Sequence, residues 1–144
     1  MFKMLTLASI LFQNDDEAAA ALGFTLVYLC CMGVIVLLAI AAQWKIFTKA
    51  GKPGWAAIIP IYNLVVLMEI VGRPLWFIIL FFIPLVNVVA AFLLCVDLAL
   101  SFGKDMIYGV LIFFFSLIML LVLGFGDARY VGPGAAKNPI FPAT

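Results

Sequence analysis

Apolar residues run along this chain in long blocks, separated by short polar stretches that carry most of the charge. The first block, "MLTLASILF", follows Lys3 and ends at "QNDDE". It resembles the start of a signal peptide but lacks a small-x-small cleavage site. The pattern predicts a short interfacial helix within 1–17, too short to span a bilayer. The second block, 18–43, gives about 39 Å of helix at 1.5 Å per residue, enough for a hydrocarbon core of about 30 Å. Asp15, Asp16 and Glu17 precede it, where the positive end of a helix dipole favours acids.

Three further blocks follow, at 55–72, 75–96 and 106–126. The second of these has Asn87 as its strongly polar side chain and the third has no charge, so both predict spans. The 55–72 block is ambiguous, because Pro60, Asn63 and Glu69 interrupt it. Cations favour the cytoplasmic side. If 55–72 crosses, Lys45, Lys49, Lys52 and Lys104 share that side. If it dips and returns, Arg73, Arg129 and Lys137 join Lys45, Lys49 and Lys52, and Lys104 moves out. The expected fold is an all-α integral membrane protein, a small bundle of 3–4 transmembrane helices. Three spans plus one half-inserted helix are favoured, with four full spans as the alternative. The membrane domain occupies 18–126, followed by an extended Gly/Pro-rich tail over 127–144.

The polar stretches repeat. "GKPGW" at 51–55 recurs as "GRPLW" at 72–76, and "IPIYN" at 59–63 recurs as "IPLVN" at 83–87. This is a short tandem repeat, or one local problem solved twice. Gly51 and Gly72 suit the left-handed end of a helix, and Lys52 and Arg73 complement its carbonyl end. Pro53 and Pro74 start a new helix, and Trp55 and Trp76 anchor it among headgroups. Inside a helix, Pro60 and Pro84 would free the carbonyls of Ala56 and Leu80 and produce kinks. Asn63 and Asn87, one turn later, are placed to bond such freed groups or a neighbouring helix.

Composition narrows the chemistry. Hydrophobic residues make up 68% of the chain and charged residues 10%, against about 25% charged in soluble domains. A net charge of +1 gives no field for recruiting nucleic acid. With no histidine, the commonest general base and metal ligand is missing. Cys30, Cys31 and Cys95 lie in apolar runs and read as packing residues. The chain carries no nucleophile-elbow, P-loop or zinc-protease motif, so no enzyme activity, cofactor or metal is expected.

The remaining polar residues read as structure. Trp44, Lys45 and Lys49 suit the headgroup layer at the end of the first span. Glu69 and Arg73, four apart, are expected to pair along one helix face, with Tyr62 on that face. Asp97, Ser101 and Lys104 draw a polar stripe along a helix end. The tail is expected to dock on a partner subunit through Tyr130, Pro133, Ile140 and Phe141.

"WKIFTKAGKPGWAAIIPIYN", "GRPLW", "IPLVN", "DLALSFGK" and "LGFGDARY", in this order, resemble a family of small bacterial inner-membrane domains of unknown function. That family also occurs fused ahead of signal peptidase I. The resemblance covers about residues 43–130. Leu75 stands where the family often has an aromatic, and the last block lacks a proline common there. Nothing like the peptidase follows, so its activity is not carried over. The expectation is a non-enzymatic, multi-pass subunit of the bacterial inner membrane, in contact with lipid and other membrane subunits. The alternatives are a small oligomeric transporter or channel, and an accessory factor in protein export or membrane-protein processing.

Overall fold

Proline placement decides where two of the helices of this chain begin. The computed structural model describes residues 1–140, without the side chains of 11–14, so Phe141 lies outside the described residues. All regular structure among the described residues is helical: α1 (Phe2–Lys49), α2 (Pro60–Val71), α3 (Pro84–Ser101), α4 (Met106–Phe114) and α5 (Ser116–Phe125). Short 3-10 segments run over Gly54–Ala57, Leu75–Phe82 and Ala135–Lys137. Among the described residues two helices, α1 and α3, are long and apolar enough to cross a membrane.

Pro60 and Pro84 do not kink a helix; each occupies the first turn of one. A proline lacks only an N–H that a helix start leaves unpaired anyway, so this is the position where it costs least. The residues before them, Ile59 and Ile83, are extended (φ −93°, ψ 110° and φ −98°, ψ 113°), as proline requires of its predecessor. Asn63 and Asn87 then donate their backbone N–H to Ile59 and Ile83, both at 2.7 Å. The sequence repeat is therefore a repeat of structure: left-handed glycine, cation, proline, 3-10 segment, extended isoleucine, proline-started helix.

The block 106–126 is also broken, at Phe115 (φ −123°, ψ 46°). Neither proline nor glycine stands there. The break falls in "FFFS", whose residues hold a helix less well than the leucines that follow.

The chain forms two compact units, Met1–Leu37 and Leu38–Thr144. The first is the greater part of α1, a helix with large apolar side chains exposed along its length, Leu22, Phe24 and Leu37 among them. It has no break at residue 17 to set off an interfacial segment. The second unit holds the core, in which Ile46 and Phe47 pack with Val66, Met68, Leu98, Ile112 and Leu123. Gly109 lets α4 approach α3 closely, since a Cβ there would lie 2.5 Å from Val96 Cα.

Candidate functional site

The site begins at the end of α2. Gly72 takes φ 80° and ψ 23°, a conformation that costs glycine little and other residues more. The N–H groups of Gly72 and Arg73 both turn back to the Met68 carbonyl, at 2.8 and 3.0 Å. This closure ends the helix and sends the Arg73 side chain away from the face that carries Glu69. The expected Glu69–Arg73 pair is thus replaced by two others.

Arg73 goes to Asp97. Its Nε donates to Oδ2 at 2.6 Å and its Nη2 to Oδ1 at 3.2 Å, and both side chains are buried. The guanidinium carbon lies 5.2 Å from the centroid of the Phe77 ring, so a cation–π contact covers the pair on one side. Asn138 Nδ2 donates to Asp97 Oδ1 at 2.5 Å. A buried pair of this kind owes its tolerance to such satisfied lone pairs, because desolvating two ions is expensive.

The tail supplies the rest of the enclosure. Tyr130 donates its hydroxyl to the Ile70 carbonyl at 2.8 Å and sets its ring edge-on to Phe102. Val131 N–H bonds the Ser101 carbonyl at 2.8 Å, and Gly134 N–H bonds Ser101 Oγ at 2.8 Å. Ser101 Oγ itself donates to the Asp97 carbonyl at 2.7 Å. Gly134 lies so close that a Cβ there would overlap that same carbonyl oxygen, and a Cβ on Gly72 would lie 2.5 Å from Pro133 Cβ. Tyr130 and Pro133, expected to dock on a partner, thus contact the chain's own helices, with Tyr130 half-buried and Pro133 exposed. Ile140 is exposed.

Glu69 goes to Lys52, 2.6 Å away, in a half-exposed pair. The bond to Glu69 holds the Lys52 ammonium above its ordinary 10.5. Burial pushes the Tyr130 phenol above its ordinary 10.0, against the opposing charge of Lys52. Lys49, expected among headgroups, donates its Nζ to the carbonyls of Leu123 and Gly126, at 2.8 and 2.7 Å. There it caps the C-terminal end of α5, where a cation is favoured.

Asn63 donates through Nδ2 to Gln43 Oε1 and, at 3.4 Å, to the Ala57 carbonyl. Asn87 is half-buried and makes no side-chain hydrogen bond among the described residues. Trp55 is exposed and stacks on Tyr62 at 5.1 Å, Trp76 is exposed, and Trp44 covers Gly54. Lys45 is exposed. An apolar cavity of about 120 Å³ lies between α1 and the other helices of the second unit, lined by Phe47, Leu94, Cys95, Ile112 and Leu120 with Gln43. Among the described residues no group of three or more His, Cys, Asp or Glu is placed to hold a metal ion.

Asn138, Gly134 and Gln43 join these networks without having been singled out in the sequence. A signal existed for the main pair: in both repeats the cation after the glycine meets an acid near the end of the next helix.

A family model, described as a family of unknown function (DUF5684), matches residues 55–133. No curated protein and no solved structure matches the chain. The matched stretch holds Arg73, Asp97, Ser101, Tyr130 and Pro133, and stops short of Asn138.

Proposed function

The chain belongs to the DUF5684 family of unknown function, and we propose that it is a non-enzymatic integral membrane protein, a structural or assembly subunit of a larger complex in a bacterial inner membrane. The observation that carries this reading is α1. Its apolar side chains are exposed all along residues 18–37, with Phe24 at 79% and Leu37 at 66%. At roughly 25 cal/mol per Å² of apolar surface, such a helix bare in water is strongly disfavoured; lipid removes the cost. On this reading α1 crosses the bilayer over 18–43, with Asp15, Asp16 and Glu17 at one headgroup layer and Trp44 and Lys45 at the other.

The polar interior supports a structural role over transport. Asn63, Glu69, Arg73 and Asp97 are each committed to partners within the chain, which suits holding a shape better than passing a solute. The export-accessory alternative draws only on the fusion to signal peptidase I that the sequence resemblance implies.

Two measurements test the reading. After alkaline carbonate washing the chain is expected in the membrane pellet; its release into the wash overturns membrane integration. After gentle solubilisation, other polypeptides in fixed ratio are expected. A lone homo-oligomer that conducts ions or solutes in liposomes overturns the subunit role in favour of transport.

A further inference from the structure

We propose that residues 52–126 enter the bilayer from one side only: three hairpins dip into the cytoplasmic leaflet, turn among its acyl chains and return to the same surface, leaving α1 as the chain's crossing. The inference rests on the membrane reading above. It names the surface formed by the hairpin tips and its occupant, the acyl chains of a single leaflet.

Two ion pairs decide the matter. Lys52 and Glu69 stand at the two ends of the first block and are 2.6 Å apart. Arg73 and Asp97 stand at the two ends of the second and are also 2.6 Å apart. A block crossing a core of about 30 Å holds its ends on opposite faces. Any scheme in which 75–96 crosses therefore separates a buried ion pair.

The third block closes in the same layer. Before α4, Lys104 N–H bonds the Ala99 carbonyl at the end of α3. After α5, the Gly126 carbonyl accepts from Lys49. Tyr130 then reaches Ile70, and Val131 reaches Ser101. Lys49, Lys52, Glu69, Arg73, Asp97, Ser101 and Gly126 are thus joined through contacts into one polar layer, and each apolar block leaves it and comes back.

Depth and exposure agree. At 1.5 Å per residue, the parts beyond the polar layer, Pro60 to Glu69 of α2 and Pro84 to Asp97 of α3, cover about 14 Å and about 20 Å, within the roughly 20–22 Å of one leaflet with its headgroups. Bare apolar side chains sit at the far ends, with Phe82 81% and Leu85 87% exposed. Trp55 and Trp76 stand where the first two hairpins leave the layer, both exposed, as an interfacial aromatic belt requires. A crossing by α1 over 18–43 then leaves Lys3 alone on the far side. Lys45, Lys49, Lys52, Arg73, Lys104, Arg129 and Lys137 share the near side, a sharper positive-inside sorting than schemes with three or four spans give.

Sidedness of labelling tests it. Single Lys104→Cys, Arg129→Cys and Leu85→Cys variants, made in a background lacking Cys30, Cys31 and Cys95, are treated with a membrane-impermeant maleimide. Right-side-out and inverted vesicles are compared. Lys104→Cys and Arg129→Cys are expected to react only in inverted vesicles, and Leu85→Cys in neither. Four spans put Arg129 on the far face, and three spans put Lys104 there. Reaction of any of the three in right-side-out vesicles overturns the inference. Trypsin acting on the unsubstituted chain gives a second measurement: cleavage after Lys104 or Arg129 is expected in inverted vesicles alone, and cleavage after either in right-side-out vesicles overturns it. Failure of the membrane reading is separate, because it shows as release of the unsubstituted chain by carbonate.

Discussion

Arg73 and Asp97, at opposite ends of an apolar block, meet as a buried ion pair at 2.6 Å and fix the end of α3 against the turn that follows α2. Asn138 from the tail completes the carboxylate's coordination. This arrangement makes the pair costly to break and inexpensive to replace as a whole.

Asp97→Leu removes the buried carboxylate that Arg73 bonds at 2.6 Å, and such a loss costs about 3–5 kcal/mol in comparable buried pairs. Arg73→Met costs a similar amount. The double variant is expected to be markedly more stable than the sum of the two losses implies. Thermal unfolding of the detergent-solubilised chain, run as a double-mutant cycle, checks this. Additive losses would show that the pair is not coupled.

Gly134→Ala places a methyl group against the Asp97 carbonyl oxygen and is expected to destabilise by about 1–3 kcal/mol, the usual cost of overpacking. The tail should become sensitive to protease after Arg129. Gly33→Ala is the control, since a Cβ there meets nothing within 4 Å. It should be neutral or stabilising by up to about 1 kcal/mol.

Alkaline pH should loosen the tail layer. The folded pKa of Lys52 lies above 10.5 because Glu69 accepts a hydrogen bond from its ammonium, so its contribution is complete below 10.5 and fades as the pH rises through the folded value. Tyr130 acts in the same direction, because burial raises its phenol above 10.0 and the folded chain resists losing that proton. The Lys52–Glu69 pair is half-exposed, so its share is under about 1 kcal/mol. Stability measured from pH 8 to about pH 11 should fall less steeply in a Lys52→Met, Tyr130→Phe variant.

Lys49→Met removes the donor to the Leu123 and Gly126 carbonyls. A loss of about 1–2 kcal/mol is expected, in line with a partly buried cation at a helix C-terminus. Hydrogen exchange at the last amides of α5 should quicken, while those of α3 stay protected.

The corners were legible because glycine, proline and cation each have one inexpensive place at a helix boundary: Gly51 and Gly72 take φ 74° and 80°. Pro60 and Pro84 were harder to read. A proline in an apolar block fits a kink or a start equally well until the preceding residue's conformation is known. The i, i+4 rule chose Glu69–Arg73, and it failed because α2 ends at Val71, so Arg73 no longer follows the helical repeat. The tail's glycines read only as an extended segment, yet Gly134 is there because nothing larger fits beside Asp97. Such close approach depends on the three-dimensional neighbour, which spacing along the chain does not encode.

The two ion pairs also make each of the first two hairpins a self-contained gauge of length. Lys52 closes on Glu69 across 17 residues and Arg73 on Asp97 across 24, and the distance from neck to tip follows from what lies between. One shared corner design therefore yields a short arm and a long arm from a single chain. Adding or removing helical turns inside a neck changes the reach of that arm and leaves the corner beside it as it was.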